Sequence, residues 1–471
     1  MDHKRIKLKK IASHLACLGA ISVLGAQPAL AGETEELKAM LKEMQAKMSQ
    51  LQDRLAQVEQ AKPSAAPVAA SPAAGKPITL PSGLELNIYG RGDIGYTTSY
   101  AKNSAGKEIT NHRFNQGEMA SRLGLSGAWN FDPELKAIFG VETGLNLFNG
   151  NAGGGVQNYN NVTGTTNSSV LFNRGATVGL ASTKYGSVEG GLMYMAPFWV
   201  ALGADQASAH NYGANDFSAL FSVTRPESLG KYLKDSPMSG ATNGANSGTA
   251  LFYSNAVRYR TIKFFDAVTS EVSYSNGQQV ANSTGPNKND GRTVAFNVQY
   301  NKNGLYMGYA HMNYMQVAQD GSGSWQTRDQ LTDIVGARYD WKDFQLGGAY
   351  VNFRATNSGG YKAQAFGLSG AYKLSEKHRF EASVGRVSYD NATSTGVYGA
   401  NTALANAGEP RSTAYSVGYL YNLKRNLSAY AYYTKMQNNA AAKLGTLQFR
   451  SDTNYPGFSP AEWTVGMYYV F

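Results

Sequence analysis

A single cysteine, Cys17, occurs in 471 residues, and no apolar run reaches the roughly 20 residues that a membrane-crossing helix needs. The first scarcity excludes a disulfide scaffold, and the second excludes a helical membrane protein. Charged residues make up only 16%, yet 42% are hydrophobic, and 52 Gly with 30 Tyr point to β-structure and away from disorder. Catalytic signatures are missing too. Neither G-x-S-x-G nor G-x-x-x-x-G-K occurs, and His112, His210, His311 and His378 are scattered without the spacing of metal ligands. No catalytic residue, cofactor or metal is therefore expected.

The N-terminus reads as an export signal. Lys4, Arg5, Lys7, Lys9 and Lys10 precede a mostly apolar stretch from Ile11 to Gly25, and Ala29-Leu30-Ala31 forms a small-residue cleavage site. Residues 1–31 are thus a signal peptide cleaved after Ala31. A lipidated Cys17 is disfavoured, because His14 stands where an aliphatic residue is wanted. Removal of five bases and one acid takes the net charge from +10 to +6 over 440 residues. That excess is small and dispersed, so nucleic acid is not an expected partner.

Residues 32–60 change to Glu, Lys, Gln, Leu and Met. Leu37, Leu41, Met44, Met48, Leu51, Leu55 and Val58 are spaced alternately four and three apart, which is a heptad seam over three heptads. So narrow a stripe implies association, most simply with other copies of the chain. The alternative is one amphipathic helix lying on the body or on a membrane surface. Either form offers a surface to a periplasmic or peptidoglycan partner. Residues 61–83, with five prolines among Ala, Ser and Gly, form a linker.

Residues 84–471 consist of segments with apolar or aromatic residues at every second position. In the last, Trp463, Val465, Met467, Tyr469 and Phe471 share one face. Sixteen such segments end near residues 98, 131, 148, 182, 195, 265, 276, 301, 315, 341, 356, 374, 390, 424, 437 and 471. Short turns such as Asn301-Lys302-Asn303-Gly304 alternate with long polar stretches, among them 99–118, 149–169, 196–250, 391–409 and 438–459. Short turns at one end and long loops at the other describe a sixteen-stranded antiparallel β-barrel in the bacterial outer membrane, in contact with its lipids. A periplasmic sandwich or adhesin would not need so many aromatics near segment ends.

Ser121-Arg122-Leu123-Gly124-Leu125-Ser126-Gly127, Leu135 to Gly144, Leu171 to Leu180, Asn255 to Tyr259 and the final Phe471 occur in an order that resembles the general porins of Gram-negative bacteria. The resemblance covers 84–471. It implies a homotrimeric diffusion channel whose third long loop folds into the lumen. It places Arg122, Arg174 and Arg258 in a basic cluster on the constriction wall, and gives segment 196–250 the role of the inserted loop. Asp205, Asp216, Glu227 and Asp235 are then the facing acids. The sequence departs from the pattern at Leu192, where related porins often carry a lumen arginine.

Parity alone also puts Arg91, Lys136, Arg260 and Arg338 inside, together with Asp93, Glu142, Glu189, Glu271 and Asp340. Bases outnumber acids, so the expectation is a weakly anion-preferring pore that passes small hydrophilic solutes and ions without turnover. An outer-membrane hydrolase barrel would need a Ser/His or Asp/His constellation on neighbouring strands. An anchoring barrel, tied to the cell wall by its coiled coil, is the other alternative and is compatible with a pore.

Overall fold

A computed structural model describes residues 77–102, 105–115, 121–148, 150, 152, 171–194, 196–205, 252–276, 292–319, 325–355, 362–390, 409–442 and 457–471. The chain divides into units Met1–Val68 and Ala69–Phe471, and the described residues belong to the second. The signal, the heptad seam and most of the linker lie outside the described residues.

The architecture is a closed antiparallel barrel of sixteen strands. They are β1 (Leu84–Lys102), β2 (Glu108–Asn115 and Arg122–Asp132), β3 (Leu135–Gly144), β4 (Gly175–Ser182), β5 (Gly186–Tyr194), β6 (Phe252–Arg260), β7 (Val268–Asn276) and β8 (Arg292–Lys302). The second half comprises β9 (Leu305–Gln319), β10 (Trp325–Trp341), β11 (Phe344–Ala355), β12 (Lys362–Lys373), β13 (His378–Asp390), β14 (Arg411–Lys424), β15 (Leu427–Asn438) and β16 (Ala461–Val470). Each strand pairs with its sequence neighbours, and β16 returns to β1 with Val470 opposite Arg91. Gly90 and Phe471 complete the seam by exchanging backbone hydrogen bonds at 2.9 and 3.0 Å. A two-residue strand, Ile78–Thr79, folds back beside Leu86 and Glu85.

The period-two pattern explains the faces. On β12 the residues Ala363, Ala365, Ser369 and Ala371 are buried, while Phe366, Leu368 and Tyr372 are exposed. Large apolar side chains recur at exposed positions throughout, as the outer wall of a lipid-embedded barrel requires. Aromatics bracket this band. Trp341, Phe344 and Tyr372 stack across strands near the short turns, and Tyr433 meets Trp463 at 4.5 Å nearer the long loops. At one short turn, Asn303 (φ 54°) and Gly304 (φ 78°) both take left-handed backbone, which suits a tight hairpin between twisted strands.

Several segment ends differ from the sequence reading. β1 runs on to Lys102 and pairs with Glu108–Asn115, inside what reads as a polar loop, so His112 also lies on a strand. Over Glu108–Asn115 the outward positions include Thr110 and His112 with Phe114, so the apolar alternation is interrupted. β3 stops at Gly144, not 148, because the Gly144 amide donates to the Asn173 side chain at 2.8 Å and Leu145 bonds to Ser121. β6 stops at Arg260, not 265, where Phe265 and Asp266 (φ 53° and 54°) begin the turn.

Candidate constriction site

The first nine described residues after β5 form a helix, α1 (Ala196–Ala204), inside the barrel. Its sequence, Ala-Pro-Phe-Trp-Val-Ala-Leu-Gly-Ala, is apolar all round, which suits a helix enclosed by protein. Ala196, Pro197, Val200, Ala201 and Ala204 are buried against the wall. The Asn297 amide on β8 donates to the Ala196 carbonyl at 2.9 Å, and Arg338 on β10 donates to the Gly203 carbonyl at 3.0 Å. A cation at the helix C-terminus also satisfies its dipole. Close approach is possible because the contacts are small: a Cβ on Gly336 would lie 2.6 Å from that of Ala204.

Charged side chains gather around the two ends of α1. Arg174 Nε donates to Glu142 at 2.6 Å, and its Nη2 donates to the Tyr194 hydroxyl at 2.6 Å. Arg122 Nε lies 3.8 Å from the other oxygen of Glu142. In a second group Arg258 meets Glu189 at 2.8 Å and Glu271 at 3.8 Å, while Arg260 donates to Glu271 at 2.8 Å. The third group is Arg338 with Asp340 at 3.1 Å.

Aromatic rings link these groups. Tyr194 stacks on Phe198 at 4.4 Å and meets Trp199 edge-on at 5.6 Å. The guanidinium of Arg174 lies 5.9 Å from the Tyr194 ring centre, Arg260 lies 5.0 Å from Trp199, and Arg338 lies 6.0 Å from Tyr306. In two of the pairs the carboxylate sits deeper than the guanidinium: Glu271 is 3% exposed against 25% for Arg260, and Glu142 11% against 15% for Arg174, whereas Arg258 lies deeper than Glu189. In narrow water the exposed charge is the one a solute meets.

The structure thus brings Arg122 and Arg174 together at Glu142, and puts Arg258 in a different group with Arg260. Arg91 and Asp93 are both buried on the inner face of β1, where the Tyr430 hydroxyl donates to Asp93 at 2.7 Å. Lys136 lies half-buried near the lower end of β3. Asp205 follows the last residue of α1. It is 2% exposed at the end of α1, and Ser369 on β12 donates to its carboxylate at 3.5 Å, which ties it to the wall. Asp216, Glu227 and Asp235 lie outside the described residues. Leu192 opposes Ala176 on the outer face, beside a register shift at Gly191 and Met193, so it is no lumen position. Tyr194, Phe198, Trp199 and Tyr306 escape sequence reasoning, because the shift breaks the parity of β5 and the helix follows without an amphipathic stripe.

Comparison with known proteins gives a consistent answer. The family model described as Gram-negative porin matches residues 64–441. A search of the curated proteins returns no match. Among solved structures, an anion-selective porin from Comamonas acidovorans is similar with a TM-score of 0.62, at 18% identity over 82% of this chain and 100% of that one. OmpF of Salmonella typhi, in complex with daunomycin, matches at 0.52 and 16% over 84% of this chain and 100% of that one. A trimer form of OmpT, an outer membrane protein of Vibrio cholerae, matches at 0.51 and 15% over 82% and 99%.

Proposed function

Since this chain belongs to the Gram-negative porin family, by a match over residues 64–441, we propose that it forms a water-filled outer-membrane channel for passive diffusion of small hydrophilic solutes and ions, with a weak preference for anions. The observation that carries the preference is the gathering of Arg122, Arg174, Arg258 and Arg260 against Glu142, Glu189 and Glu271. Four guanidiniums against three carboxylates leave one positive charge where α1 narrows the lumen. Confined charge of one sign raises the local concentration of the opposite ion. The anion selectivity stated for the Comamonas porin supports this reading by fold alone. Transport of this kind involves no turnover, so the protein acts as a channel and not as an enzyme.

A homotrimer suits the outer wall. The described outward residues of β3–β5 include Phe139, Val141, Val178, Leu180 and Val188 but no Tyr or Trp, whereas Tyr or Trp recurs on the outer face of β14–β16. A sector without interfacial aromatics fits protein better than lipid. The trimer form recorded for OmpT is in keeping with this. The heptad seam of residues 32–60 would add a second, periplasmic association, open to a periplasmic or peptidoglycan partner.

The test is current through the purified mature protein in a planar bilayer under a KCl gradient. Triplet steps with a reversal potential favouring chloride are expected. A folded protein without conductance would overturn the channel reading.

A further inference from the structure

We infer that the constriction carries a subsite for aromatic carboxylates, in which the rings of Phe198 and Trp199 receive the aromatic part and Arg174 and Arg260 receive the carboxylate. The inference rests on the pore reading and names the anion class that the pore favours.

Two faces of α1 have different roles. The wall-side face is made of Ala, Pro and Val, and all five of its residues are buried. The opposite face presents Phe198, Trp199 and Leu202, each only partly buried. Seating the helix does not require these rings. It is achieved by Ala204 against Gly336 and by polar ties from Asn297 and Arg338. Large apolar groups left partly exposed beside charged side chains are costly, and such patches mark binding surfaces.

The surroundings specify the ligand. Arg174 lies by Tyr194, which stacks on Phe198, and Arg260 lies over Trp199. Three rings therefore lie in contact between two cations, in the order Arg174, Tyr194, Phe198, Trp199, Arg260. A carboxylate attached to a flat ring matches this order: the charge faces a guanidinium while the ring stacks offset on a neighbouring aromatic. A compact ion such as chloride uses only the charges. An aliphatic carboxylate of similar size uses the charges and the apolar surface but not the ring geometry.

The experiment compares benzoate with cyclohexanecarboxylate in planar bilayers holding the full mature chain, with chloride as reference. Relative permeability is read from bi-ionic reversal potentials, and residence from blockade of the chloride current. Wild type is expected to hold benzoate roughly two- to tenfold longer than cyclohexanecarboxylate, the range of an aromatic pair beyond plain burial. F198L and W199L, which keep apolar bulk, should bring the two residence times together, with heat-resistant trimers on gels as the folding control. Equal residence in the wild type, with chloride still conducted, would overturn the subsite and leave the pore reading standing. Discrimination that survives both substitutions would overturn the assignment to these rings. Loss of chloride conduction by folded wild type would overturn the pore reading and the subsite with it.

Discussion

Glu142 accepts a hydrogen bond from Arg174 at 2.6 Å while its second oxygen lies 3.8 Å from Arg122, so one carboxylate restrains two guanidiniums at the mouth of the constriction. Glu142→Gln keeps the shape and removes the restraint. The chloride-to-potassium permeability ratio should rise roughly twofold, as a fixed negative charge leaves confined water. Reversal potentials under a KCl gradient provide the check. An unchanged ratio would mean that permeating ions do not pass this group.

Arg174→Gln should do the reverse, lowering the ratio and bringing the pore towards no preference. The effect should shrink at about 1 M salt, where the screening length falls to roughly 3 Å. A preference that is insensitive both to this substitution and to salt would locate selectivity elsewhere.

Arg258→Gln has a different expected outcome. Arg258 is 5% exposed and lies between Glu189 and Glu271, so its removal takes from Glu189 its guanidinium at 2.8 Å while Glu271 keeps Arg260. The expected cost is about 3 kcal/mol, read as a lower denaturant midpoint at unchanged slope. Arg174→Gln should cost less, because its group keeps Arg122.

Gly336→Val tests whether α1 narrows the pore. A Cβ at that position would lie 2.6 Å from Ala204, with the Val200 carbonyl at 3.3 Å. The helix must shift, and single-channel conductance should change while trimers persist. An unaltered conductance would remove α1 from the rate-limiting section.

Deletion of residues 33–60 tests the heptad seam. If these helices pin the trimer, the shortened protein should lose trimers at a lower temperature on unboiled gels, with single-channel conductance preserved. Equal heat resistance would assign the segment to another partner.

The barrel is legible in the sequence because lipid outside and water inside impose alternation on every crossing. Trp463, Val465, Met467, Tyr469 and Phe471 on β16 show it without help from tertiary structure. That signal fades where the chain leaves lipid. In the hairpin through Glu108–Asn115 Thr110 and His112 interrupt the apolar face that Phe114 shares with Tyr96, and its pairing is held by backbone bonds that side-chain patterns do not report. The constriction is legible in Arg122, Arg258, Arg260 and the glutamates, which parity places inside; Arg174, just before β4, shares the parity of the outward Val178 and Leu180 and is reached only through the family pattern. The partnerships in the constriction are not legible, because Arg174 and Tyr194 are 20 residues apart and meet through the pairing of β4 with β5, in which Ala176 lies opposite Leu192. Position in the chain places Asp205 in the long segment after β5, but its burial and its bond from Ser369 depend on the packing of α1 against the wall.

The bonds between Gly90 and Phe471 are the last stitch of a circle whose other pairings join neighbours in the chain. Fifteen of the sixteen seams could in principle form as soon as both their strands have been delivered. The remaining one spans almost the whole barrel sequence and must wait for the final residue. Long-range closure of this kind is slow, since the intervening chain must be ordered before the contact is rewarded. Until it forms, β1 and β16 are open edges that invite foreign strands. Assembly is therefore governed by how those two edges are guarded, and removal of Phe471 should slow closure more than it weakens the finished ring.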